Sequence, residues 1–81
     1  MLNNKRKHQL ERVIRYEYNC FDLRYSIRNA RTLLCHTSKL LEFKVWYLYD
    51  RNIISNDEKH FMLLCNNLYY IYYEAHFRKF S

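Results

Sequence analysis

The 81-residue chain contains no glycine and no proline. Without glycine there is no low-cost residue for positive-φ turns or phosphate-cradling loops, and without proline no strong helix breaker. Sheet-rich and loop-rich folds are thereby disfavoured, and a nearly all-helical chain is expected. A long hydrophobic run is also lacking. The longest uncharged stretch, 61–73, is interrupted by Asn66-Asn67 and falls short of the roughly 20 apolar residues that a bilayer-spanning helix needs. No transmembrane segment is expected, and no apolar stretch follows Met1-Leu2-Asn3-Asn4-Lys5-Arg6-Lys7, as a secretory leader would require. Cysteine is scarce: Cys20, Cys35 and Cys65 stand alone, with no CxxC, HxxxH or CxxH pairing. Free thiols in a reducing compartment are the expectation, in the cytoplasm or in a host-cell interior if the chain is viral.

Other motifs are missing as well. Cys35, His36, His60, Cys65 and His76 are the only plausible soft or borderline metal ligands, and none has the close spacing of a zinc site. Each cysteine falls in or beside an apolar helix face and is expected to pack as a small hydrophobe. The nine tyrosines invite a nucleophilic reading, but that chemistry needs a concave site with positioned acid, base or metal. Adjacent Cys35 and His36 point about 100 degrees apart on a helix and form no thiolate pair. No helix-turn-helix signature is present. A non-enzymatic chain without cofactor or metal is therefore expected.

What the chain does contain is helical periodicity. Cys20, Leu23, Ile27, Ala30, Leu34, Thr37, Leu41, Val45 and Leu48 alternate three and four residues apart, one helix face repeating about every 3.5 residues. Phe61, Leu64, Leu68, Ile71 and Ala75 repeat the pattern, flanked by Cys65 and Tyr72. Between them Ser55-Asn56-Asp57-Glu58 fits a capping box, with Asp57 and Glu58 at the positive end of the helix dipole. Upstream, Leu10, Val13, Ile14 and Tyr18 mark a short amphipathic helix, with Glu11 and Arg15 at i,i+4. Its face is out of phase with the stripe beginning at Cys20, which suggests a break near Asn19. The predicted fold class is all-α: an antiparallel helical hairpin of two long helices plus a short N-terminal helix, closed as a three-helix or intersubunit bundle. A single domain over 1–81 is expected, with helices roughly at 5–18, 20–51 and 56–79. With 49% hydrophobic and 19% aromatic residues, a thin hairpin cannot cover its own apolar surface, so a homo-oligomer is expected.

Two surfaces carry the functional expectation. The net charge of +6 is uneven: residues 1–31 hold eight Lys or Arg against three acids, and residues 32–81 six against five. Arg24, Arg28 and Arg31 line one face with no acid three or four residues away, so each like-charge pair costs about 0.2–0.5 kcal/mol in an isolated helix. Glu74, opposite Arg31 across the hairpin, is the one candidate carboxylate. Folding at the turn is expected to bring Lys5, Arg6, Lys7, Arg24, Arg28, Arg31, Arg78 and Lys79 to one open, basic end that contacts DNA or RNA. The alternative is a protein-binding inhibitor or assembly subunit, whose aromatic strip Phe21, Tyr25, Phe43 and Tyr47, with Trp46 alongside, docks a protein partner. A peripheral membrane-surface role is third, because the basic residues and the richest apolar run lie on different helices. In outline the hairpin resembles small RNA-binding plasmid regulators, with no residue motif shared. The abundance of Asn, Lys, Tyr, Ile and Phe beside the missing Gly and Pro is what an AT-rich coding sequence yields, as in a virus, a mobile element or an AT-rich bacterium.

Overall fold

The computed structural model describes residues 2–19 and 27–78, with side chains for 2–19 and 29–78. They form α1 (Asn4–Asn19), α2 (Ile27–Asp50) and α3 (Asn56–Arg78), an all-α three-helix bundle with axes of 40 × 23 × 16 Å. The expected start of the second helix at residue 20 lies outside the described residues. No described residue is in a strand, and no helix among them is long and apolar enough to cross a membrane.

Local signals account for the helix ends. Asn3 caps α1: its Oδ1 accepts from the Arg6 amide at 2.8 Å. The capping box forms at α3, where the Glu58 amide donates to Ser55 Oγ at 3.1 Å and the Ser55 amide donates to Glu58 Oε1 at 2.8 Å. α2 ends in a Schellman motif. The Ile53 amide donates to the Leu48 carbonyl at 2.9 Å and the Asn52 amide to the Tyr49 carbonyl at 3.0 Å, with Asn52 at φ 60°. Asn is the residue after Gly that best tolerates this left-handed position, and the chain has no Gly to use.

The core stripe expected for α2 is present: Ala30, Leu34, Leu41 and Val45 are buried, and Leu48 packs against them. Leu10, Ile14 and Tyr18 of α1 are buried as well, although Val13 is 52% exposed. α3 departs from expectation. Leu64, Leu68 and Ile71 are each more than half exposed, and Ala75 is exposed too. The buried face carries Lys59, Met62, Cys65, Asn66 and Phe77, with Leu63, Tyr69, Tyr70 and Tyr73 packed against the core. The helix is apolar on both sides, and the side that looked cleaner in sequence is the outer one. Two polar residues, Lys59 and Asn66, disguised the true core face, and both are buried because partners satisfy them.

Asn66 joins all three helices. Its Oδ1 accepts from the Tyr18 hydroxyl of α1 at 2.5 Å, and its Nδ2 donates to the Ser38 carbonyl of α2 at 2.9 Å. Tyr18, fully buried, stacks on Tyr69 and Tyr73 at ring separations of 5.4 and 5.8 Å. Lys59 places its Nζ 4.3 Å from the Trp46 ring centre and 4.2 Å from that of Tyr49, a cation–π arrangement that offsets part of its desolvation. Among the described residues no buried side-chain N or O lacks a hydrogen-bond partner, as a well-specified interior requires.

These contacts also fix the direction of α1. Arg6 pairs with Glu58, Glu11 accepts from the Tyr69 hydroxyl, and Tyr18 meets Asn66 and Tyr73. From Arg6 beside Glu58 to Tyr18 beside Tyr73 the residue numbers rise along both helices, so α1 is parallel to α3 and antiparallel to α2. The expectation that the Lys5-Arg6-Lys7 arm joins Arg78 at one pole is therefore corrected. That arm sits beside the α2–α3 turn, and the 20 residues from Glu58 to Arg78 span roughly 30 Å of helix.

Candidate functional site

The outer face of α2 presents Leu33, Leu40, Phe43 and Tyr47, with Trp46 to one side. All five stay exposed, Phe43 most at 72%. The spacing that places Leu34, Leu41 and Val45 inward places this strip outward, because residues 100° apart per step cannot share one face. α1 leaves the strip uncovered, because it packs into the bundle through Leu10, Ile14 and Tyr18. Arg51 lies 5.0 Å over the Tyr47 ring, and Trp46 meets Tyr49 edge-on at 6.0 Å. Trp46 thus has one ring contact with the buried Lys59–Tyr49 group and an exposed remainder. Phe21 and Tyr25, expected in the same strip, lie outside the described residues.

A second apolar face runs along the back of α3. Leu64, Leu68, Ile71 and Tyr72 are 55–65% exposed, and Leu68, Tyr69 and Tyr72 line an open apolar hollow of about 270 Å³. The periodicity of this stripe predicts a core face, and the fold turns it outward. The exposed hydrophobic residues of α2 and α3 thus form two separate outer surfaces, each pointing away from the bundle axis.

The cations do not form one cluster. Arg6 is tied to Glu58 at the turn pole, and Arg78 to Glu74 at 2.6 Å near the other end of the molecule. Glu74, the carboxylate expected near Arg31, is engaged by Arg78. Arg31 is exposed on α2, and Lys5 and Lys7 are exposed on α1. Arg24 and Lys79, and the Arg28 side chain, lie outside what is described. Exposed Arg12 was missed in sequence reasoning. It follows Lys5 by seven residues on the same face of α1 and borders a shallow hollow with Gln9, Val13, Tyr16 and Glu17. An i,i+7 check of basic positions would have found it.

Ionisation at the bundle interior is shifted by burial. Tyr69 is pushed up to about 12, first by desolvation, then by its hydrogen bond to Glu11 and the charge of that carboxylate. Burial likewise raises Tyr18, Tyr73 and the Cys65 thiol, so Cys65 is disfavoured as a thiolate. Glu58 is held below the usual carboxylate range, first by the Ser55 amide and then by Arg6. All but Glu58 owe the shift first to burial in the bundle, and none lines the hollow beside Arg12. Cys35 is half-buried and Cys65 buried, both free, and no three His, Cys, Asp or Glu among the described residues gather as a metal set. Comparison with protein families, with curated proteins and with solved structures finds no match to the chain.

Proposed function

We propose that the chain is a small non-enzymatic interaction module, in which the outer face of α2 docks an amphipathic helical segment of a protein partner carrying net negative charge. The observation that carries this reading is the exposed strip Leu40, Phe43, Trp46 and Tyr47 on an otherwise packed helix. Aromatic residues of this kind are the usual anchors of helix-in-groove contacts. Lys39, Lys44 and Arg51 outnumber Glu42 and Asp50 beside the strip, and the chain carries +6 overall, so an acidic partner is favoured by long-range attraction. The two hollows are shallow and open, which supports binding of a surface rather than turnover of a small substrate. Free thiols suit a reducing compartment, the cytoplasm or a host-cell interior, and the composition suits a virus or mobile element.

Capture from a lysate of the cell of origin tests the reading. A partner retained after nuclease treatment and high-salt washing, and lost from Phe43→Ser and Tyr47→Ser variants that keep their helical spectrum, supports it. Retention by both variants overturns it. A nucleic-acid reading is favoured by a separate observation: Lys5, Lys7, Arg12 and Arg31 are exposed, with no carboxylate pairing among the described residues. Under that reading Lys5→Gln and Arg12→Gln together weaken DNA or RNA binding and flatten its salt dependence by about two counterions, whereas Phe43→Ser leaves it unchanged. A membrane-surface role has less support, since a helix lying on lipid carries one strongly basic face, whereas the cations beside the α2 strip are interspersed with Glu42 and Asp50.

A further inference from the structure

We infer that the outer face of α3 is a self-pairing surface, on which a second copy of the chain packs antiparallel about a two-fold axis near Leu68. This inference is independent of the α2 reading, which concerns a different face. The strip Leu64, Leu68, Ile71 and Ala75 follows i, i+4, i+7, i+11 spacing opposite the buried face, and the first three of these are at least 55% exposed. A two-fold interface must be self-complementary, residue i meeting j while j meets i. Setting Leu68 against Leu68 of the second copy brings Phe61 opposite Ala75 and Leu64 opposite Tyr72, so apolar meets apolar along the whole strip. The apolar hollow bounded by Leu68, Tyr69 and Tyr72 then lies beside the axis, where it receives Leu64 of the second copy in the manner of a knob entering a hole.

Charge selects the direction. α3 carries acid in its first turn, Asp57 and Glu58, and base in its last, His76 and Arg78. An antiparallel pair sets Asp57 of each copy within one residue of Arg78 of the other, twice per dimer, where the Arg78 guanidinium, already paired with Glu74 of its own chain, shares its donors with a second carboxylate. A parallel pair would stack acid on acid and base on base. Opposed helix dipoles favour the same direction. Asp57 lies on the side of α3 that faces away from Asn66, in line with the strip, as the 100° step requires. The α2 strip lacks such polarity, because Lys39, Glu42, Lys44, Asp50 and Arg51 are interspersed along it. One helix face per copy makes an interface at the small end of the specific range, so the dimer is expected to exchange with monomer at micromolar concentration.

Sedimentation equilibrium of the full chain over a wide concentration range tests the inference. The wild type forms a reversible dimer. Leu68→Glu, which sets two carboxylates together at the axis, weakens it about tenfold or more while the far-ultraviolet spectrum stays helical, as expected at a site 57% exposed. Asp57→Arg alone and Arg78→Glu alone are each weakened several-fold, and an equimolar mixture of these two variants recovers the wild-type affinity, because each mismatched end finds its complement on the other chain. A wild type that stays monomeric, a Leu68→Glu variant that dimerises as before, or a mixture with no recovery overturns the inference. Loss of the dimer in Phe43→Ser but not in Leu68→Glu moves the contact to α2 and overturns it equally.

Discussion

Replacing Tyr18 by Phe removes one hydroxyl from the centre of the bundle, and its cost follows from the groups left behind. Tyr18 is fully buried and Asn66 is 2% exposed, so water cannot take over the bond from the hydroxyl to Asn66 Oδ1. An acceptor left unsatisfied at such a site costs about 1–3 kcal/mol. The Asn66 backbone carbonyl, which also lies 3.2 Å from the hydroxyl, keeps its helical partner and adds little. Asn66→Leu costs less, about 1–2 kcal/mol, because Tyr18 retains that carbonyl and the Ser38 carbonyl keeps its own helical bond. In the double variant both polar groups are gone, and the penalty falls below the sum of the singles by about 1 kcal/mol, within the usual coupling of residues in contact. For a domain of this size about 2 kcal/mol lowers the melting temperature by about 8–16 °C. Urea and thermal unfolding followed by circular dichroism, carried out on wild type, both singles and the double, close the cycle. A coupling below about 0.5 kcal/mol would refute the claim that this hydrogen bond fixes the register of α1 on α3.

Three further outcomes are expected. Ser55→Ala lowers stability by about 0.5–2 kcal/mol through loss of the α3 cap, read from urea midpoints, and the loss is matched by Glu58→Ala, which also releases Arg6. Asn52→Ala costs about 1 kcal/mol because alanine pays the full left-handed penalty at φ 60°, whereas Asn52→Gly is neutral or stabilising in the same assay. Tyr69, raised from 10.0 to about 12, contributes stability that is present below pH 10.0 and is lost as pH rises through about 12. Glu11→Gln brings the Tyr69 midpoint down in an ultraviolet titration of tyrosine ionisation, and an unchanged midpoint would remove Glu11 as a cause.

Sequence by itself determined that the chain is helical and where α3 begins. With no Gly or Pro the backbone has few alternatives to helix, and the Ser55 to Glu58 box is local chemistry that needs no distant partner. It also determined the core face of α2, where Leu34, Leu41 and Val45 form a stripe that charged neighbours interrupt on the other side. Tertiary structure alone decided which side of α3 is buried. A helix apolar all round has no phase of its own, and the choice turns on Asn66 and Lys59, whose burial is tolerated only because Tyr18, Ser38, Trp46 and Tyr49 come to meet them from elsewhere in the chain. The direction of α1 was decided in the same way, by Arg6 reaching Glu58 at one end and Tyr18 reaching Tyr73 at the other, and with it the separation of the N-terminal cations from Arg78. Local periodicity fixes an element, but the face it buries depends on partners distant in sequence that no local pattern encodes.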